Sequence, residues 1–188
     1  NRALEEVAKV LAENGVDYEI FQVGNNPIRD CIGCLQCATK LKNNTCVFDD
    51  DIVNALIKKA SECDGFVFGT PVYYAHPSGR VLSLLDRVFY AGGRVFRHKP
   101  AFASARRAGT TASIDVLNKY FTIAQMPIAS SSYWNMVHGN QPEQVEQDLE
   151  GLQTMRNAAR NLVWLMKCIE LGKQNGIEPP KNESGTRT

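Results

Sequence analysis

Cys31, Cys34, Cys37 and Cys46 follow the spacing C-x2-C-x2-C-x8-C, and four thiolates so placed can converge on one metal centre. The chemistry this would support is a [4Fe–4S] cube or, as a further option, a tetrahedral zinc ion. Gly33 between the first two would help a tight loop close. The run differs from the iron–sulfur pattern C-x2-C-x2-C-x3-C-P, because its last gap is longer and Val47 follows the fourth cysteine. The competing reading is structural. Spacing i, i+3, i+6 drifts only modestly around a helix, so Cys31, Cys34 and Cys37 would be small, half-buried residues on one face. Cys63 and Cys168 read as ordinary core positions.

A second chemical segment is Thr70-Pro71-Val72-Tyr73-Tyr74, which follows a short apolar run. Proline fixes φ and stiffens the turn, backbone groups can meet the polar edge of a flavin, and a tyrosine ring can cover its face. The plain alternative is a turn with two surface tyrosines. His76 in the same loop could hydrogen-bond the ring or a substrate, or simply be solvated. His138, after Tyr133 and Trp134, belongs to a segment that could overhang such a ring. Trp134 reads equally as a core or subunit-interface residue.

The 188 residues, 44% hydrophobic and 22% charged with a net charge of +1, suit one soluble α/β domain. Neither nucleic acid nor anionic lipid is expected as a main partner. No apolar run approaches the roughly 20 residues of a membrane span, and residues 1–14 are amphipathic rather than signal-like. The cytoplasm is therefore the expected location, and six cysteines are read as free thiols or metal ligands rather than disulfides.

Helical spacing of Leu4, Val7, Ala8 and Leu11 gives a first helix over 3–11, and residues 18–23 read as a strand. Asp49-Asp50-Asp51 reads as the capped start of a helix continuing through Lys59. A buried strand follows over 65–69, then a helix over 78–90 that ends before Gly92-Gly93. Within that helix Asp86 and Arg87 read as an intramolecular ion pair that orients it. Strands are expected over 101–105 and 126–132, with a helix over 111–124 between them and one long helix from Pro142 through Ile169. The domain is expected to span 1–173, with 174–188 a flexible tail.

Alternation of this kind implies a flavodoxin-like three-layer α/β/α fold with a parallel five-stranded sheet in the order 2-1-3-4-5. Only four strands are legible. The strand expected between 18–23 and 65–69 is placed upstream of Asn1, in about 10 to 20 further residues that would also carry the phosphate-binding loop.

Gly69-Thr70-Pro71-Val72-Tyr73-Tyr74, then Ser78-Gly79 and Leu85-Asp86-Arg87, resemble the NADPH-dependent FMN reductase and iron–sulfur flavoprotein group of the flavodoxin-like superfamily. The cysteine loop and Arg106-Arg107-Ala108-Gly109 are similar to members of that group as well. The resemblance implies FMN as cofactor, NADPH or NADH as electron donor, and a homodimer or higher homo-oligomer. It implies Pro71, Val72, Tyr73 and Tyr74 as flavin contacts, with Arg107, Gly109 and Thr110 as candidates from the next strand end. Thr70, His76 and Ser78 complete the candidate set. Arg106 and Arg107 also read as solvated surface charges. The leading function is an FMN-dependent NAD(P)H oxidoreductase acting on a small acceptor such as a quinone, flavin or nitro compound. The alternatives are an electron carrier, with a [4Fe–4S] cluster serving a protein partner, and a flavin-binding regulatory module without turnover.

Overall fold

The computed structural model describes residues 1–106 and 109–183. Helix α1, Arg2–Glu13, buries Val7, Ala8, Val10 and Leu11, the face its apolar spacing marks. A loop containing a short π-helical turn at Cys37–Leu41 leads to α2, Val53–Ser61. Strand β1, Phe66–Tyr73, turns back through β2, His76–Pro77, into α3, Gly79–Phe96. Strand β3, Ala101–Arg106, is followed by α4, Thr110–Ile123, then β4, Met136–Val137. Two helices close the chain, α5 at Pro142–Val145 and α6 at Leu149–Gln174.

β1 and β3 run parallel from Phe66↔Ala101 to Pro71↔Arg106, and β3 and β4 are parallel through Ala105↔Met136 and Arg106↔Val137. Side chains alternate with period two across this sheet. Ala101, Ala103 and Ala105 face a core shared with α2, α3 and α4, together with Phe66 and Phe68. Phe102 and Val67 face the opposite core, formed with α1 and α6. Helices therefore cover both faces, as expected for a three-layer α/β/α arrangement.

The sheet differs from the expected five parallel strands. It has four, in the order β2-β1-β3-β4, with β2 antiparallel to β1. Residues 18–23 form no strand. The order 2-1-3-4-5 places another strand between them and β1, and no described residue supplies it, so their backbone has no ladder to join. The strand expected over 126–132 is reduced to one bridge, Ala101↔Ile128. Beyond it α6 takes over the hydrogen bonds: Ser131 Oγ donates to Thr154 O at 2.7 Å and Asn161 Nδ2 to Ser130 O at 2.8 Å. The chain rejoins the ladder only at Met136.

Two helix boundaries also differ. α3 continues through Gly92, because glycine there lets the α2 side chain Ile57 approach; a Cβ would stand 2.6 Å from Ile57 Cγ2. The long final helix is broken before Leu149, where Asp148 accepts the Gly151 N–H at 3.0 Å and the His138 N–H at 2.6 Å. Among the described residues no helix is long and apolar enough to cross a membrane.

α1 is fastened to α6 by Glu6, which is 6% exposed and accepts from Arg156 at 2.6 Å, Arg2 at 2.9 Å and Lys9 at 3.2 Å. Burial opposes ionisation, but these three donors outweigh it and bring the carboxyl from 4.5 to about 2. A carboxyl depressed in this way stabilises the fold fully above about pH 4.5, and its contribution fades as pH falls towards 2. Glu6→Gln is expected to cost about 1–3 kcal/mol at neutral pH. It should also flatten the acid limb of thermal melts recorded between those two pH values; an acid limb as steep as that of the unaltered chain contradicts the assignment.

Candidate functional site

The ends of β1, β3 and β4 are level, since Pro71 pairs with Arg106 and Arg106 with Val137. In an open α/β sheet ligands collect at this carboxyl edge. Here β1 makes a two-residue hairpin into β2, with Tyr73 opposite His76 and both central residues left-handed, Tyr74 at φ 48° and Ala75 at φ 64°. That is type I′ geometry, which normally calls for glycine or asparagine. Side chains bearing such strain cluster at functional sites. Gly109, at φ 81°, braces the tip: a Cβ on it would lie 2.6 Å from Ala75 Cα.

The hairpin sorts the candidate residues. Thr70 is buried; its Oγ1 accepts the Ser78 N–H at 3.0 Å and donates to Pro71 O at 2.9 Å, so this hydroxyl shapes the loop. Tyr73 and Tyr74 are 63% and 101% exposed, and Pro71 and His76 also face solvent, with Val72 half-buried. Ser78 precedes the first turn of α3 and Thr110 is buried at the start of α4. Arg107 lies outside the described residues. Arg106 is half-buried and donates from Nε to Gly139 O, so it is not a solvated surface charge. Tyr133 and Trp134 stack edge to face at 4.8 Å and are both about half exposed, which removes Trp134 from the core.

Cys31, Cys34, Cys37 and Cys46 line one small cavity of about 20 Å³, together with Phe48, Arg87 and Tyr90. The first three do not share a helix. Gly33 at φ 64° and Leu35 at φ 54° break the backbone, and only Cys37 lies in the π-helical turn. Cys31, Cys37 and Cys46 are half-buried at this cavity and Cys34 is exposed at its rim. Burial raises the Cys37 thiol pKa, and the nearby Cys34 and Cys46 push in the same direction. Among the described residues, no group of three or more His, Cys, Asp or Glu side chains is gathered closely enough to hold a metal ion as it stands. Cys63 and Cys168 are exposed rather than core positions, because each falls on the outward side of its segment.

Cys46 is held from two helices. Asn54 of α2 accepts its N–H at 2.7 Å and donates to its carbonyl at 3.0 Å. Arg87 of α3, 1% exposed, donates from Nε to its Sγ at 3.3 Å, from Nη2 to Phe48 O at 3.1 Å and from Nη1 to Arg29 O at 3.2 Å, and pairs with Asp51. Burial disfavours the guanidinium charge, but Asp51 and Cys46 more than offset it, leaving its pKa above the ordinary value. Asp86 does not pair with Arg87; it accepts the Tyr120 hydroxyl hydrogen bond instead. Neighbours on a helix diverge by about 100°, so one faces the loop and the other faces α4. Sequence reasoning missed Asn54 and Asp51 as supports of Cys46, and only the acidic run ahead of α2 hinted at either.

Residues 1–141 match the model of the family described as NADPH-dependent FMN reductase. An iron–sulfur flavoprotein of Methanocaldococcus jannaschii is 28% identical over 177 residues, covering 89% of this chain and 90% of its own. A second iron–sulfur flavoprotein from the same organism is 25% identical over 181 residues, covering 88% and 89%. A solved flavone reductase superposes with a TM-score of 0.65 at 17% identity over 90% of this chain, which spans 59% of that protein's length; the likeness supports a flavodoxin-like α/β fold. With three quarters of its length matched, the chain belongs to the NADPH-dependent FMN reductase family, and FMN is the cofactor that membership brings.

Proposed function

We propose that this chain is an FMN-dependent oxidoreductase that takes electrons from NADPH or NADH and passes them to a small acceptor such as a quinone, free flavin or nitro compound. The observation that carries the reading is the strained hairpin, exposed at its tip, at the level ends of β1, β3 and β4. The residues there fit a flavin. Tyr73 and Tyr74 offer uncovered ring faces, Pro71 and Val72 stiffen the approach, and His76 offers a polar edge. Gly109 and Thr110 bring the start of α4 beside the hairpin, and Arg107 joins them as a candidate. When bound, FMN would accept hydride from the reduced nicotinamide and return electrons singly or in pairs. The chain's own part is to seat the ring and keep the hairpin rigid, which Thr70 does by closing the loop on Ser78.

A second reading is supported by the four cysteines on one cavity and by relatives named iron–sulfur flavoproteins. In it the loop holds a [4Fe–4S] cluster and the protein carries electrons to a protein partner. Half-exposed Tyr133 and Trp134 suit a subunit interface, in keeping with a homodimer.

The oxidoreductase reading predicts that Tyr74→Ala weakens FMN binding by about 0.5–1.5 kcal/mol, roughly two- to tenfold, measured by quenching of flavin fluorescence. Nicotinamide oxidation with a quinone should fall in proportion to flavin occupancy, whereas unchanged FMN affinity would remove the hairpin from the site. The cluster reading predicts that Cys46→Ala lowers iron and acid-labile sulfide in anaerobically purified protein while flavin content stays constant. Equal iron in both proteins contradicts it.

A further inference from the structure

Beside the cysteine cavity a second, much larger one of about 1030 Å³ opens between the C-terminal half of α3, the outer face of α4 and the end of the π-helical turn. The two share Cys37, Tyr90 and Ala91 in their walls. Four cations line the large groove: Lys42, Arg94, Arg97 and Lys119. All four are exposed, and none makes a side-chain hydrogen bond or ion pair among the described residues. The one carboxylate in the lining, Asp86, accepts the Tyr120 hydroxyl hydrogen bond and is ion-paired with none of them, so four positive charges there face one negative charge. A chain of net charge +1 thus concentrates four unpaired positive charges on one concavity. The volume lies at the upper end of the roughly 300–1,000 Å³ usual for small-molecule sites.

Three aromatic side chains, Phe89, Tyr90 and Tyr120, join these cations in a lining that is otherwise mostly small and aliphatic. Phe89 and Tyr120 lie 5.4 Å apart, and Tyr90, 66% exposed, stands at the junction with the cysteine cavity. Aromatic faces accept planar rings, while guanidinium and ammonium groups select carboxylate, sulfonate or phosphate oxygens. The groove lies along the later turns of α3, whereas the flavin hairpin adjoins its first turn. It is therefore separate from the proposed flavin seat.

We propose that this groove binds a planar aromatic dianion. Two sources share that chemistry, a mononucleotide and a sulfonated or carboxylated quinone. A ligand there would cover Cys37, whose Sγ rests against Tyr90 O at 3.8 Å.

The test uses the FMN-loaded full chain in equilibrium dialysis against anthraquinone-2,6-disulfonate and, separately, adenosine 5′-monophosphate. At least one probe should bind, more weakly as salt rises. Affinity should fall about tenfold or more in Arg94→Glu/Arg97→Glu, and independently in Lys42→Glu/Lys119→Glu should the first pair not fold. The bound probe should slow alkylation of Cys37, mapped by mass spectrometry, while leaving the exposed Cys168 unaffected. Binding of one probe alone supports the proposal and assigns the source. The proposal is overturned if neither binds, if folded charge-reversal variants bind as tightly, or if Cys37 is not shielded. Failure of the flavin reading would show separately, as loss of FMN from a protein whose groove still binds the probe.

Discussion

A guanidinium that is 1% exposed needs a partner at each nitrogen, and Arg87 finds one for all three by reaching into the cysteine loop. Its partners, Cys46, Phe48, Arg29 and Asp51, come from a stretch with almost no regular structure of its own. The loop is ordered because α3 requires it to be. Arg29 and Arg87 also lie over the Phe48 ring, at 4.6 and 5.4 Å, adding cation–π contacts to the same knot.

α3 is the element that unites the molecule. Its first turn is tied to the hairpin through Thr70 and Ser78, its middle holds the cysteine loop through Arg87, and Gly92 admits Ile57 of α2. The hairpin, the cysteine cavity and the basic groove are thereby arrayed along one rigid rod. On the proposed reading this fixes the spacing between the flavin seat and the cysteine loop. From Ser78 to Arg87 α3 rises by about 14 Å, which sets that spacing along the helix.

Much of this was legible from residue spacing. The apolar periodicity of α1 and the strand at the apolar run before Thr70 follow from pattern and fold rules, although that run is half-buried rather than buried. The type I′ turn was not, because Tyr74 and Ala75 lack the glycine or asparagine that announces it; their conformation is imposed by pairing with β2 and by Gly109. Gly92 looked like a helix stop, yet a glycine inside a helix can equally mark a close approach, and only the position of Ile57 decides between them. The strand over 126–132 had the right composition but lost its hydrogen bonds to α6, a competition invisible in one dimension. The cysteine spacing was ambiguous between helix face and metal loop until the left-handed Gly33 and Leu35 removed the helix.

The central claim is that a flavin seated at the hairpin takes electrons from a reduced nicotinamide. An anaerobic absorbance titration of the FMN-loaded protein with NADPH, repeated with NADH, tests it most directly. The account predicts that flavin absorbance bleaches with one equivalent of at least one donor and returns when a quinone is added. A protein that binds FMN yet keeps it oxidised in the presence of excess NADPH and NADH would contradict it.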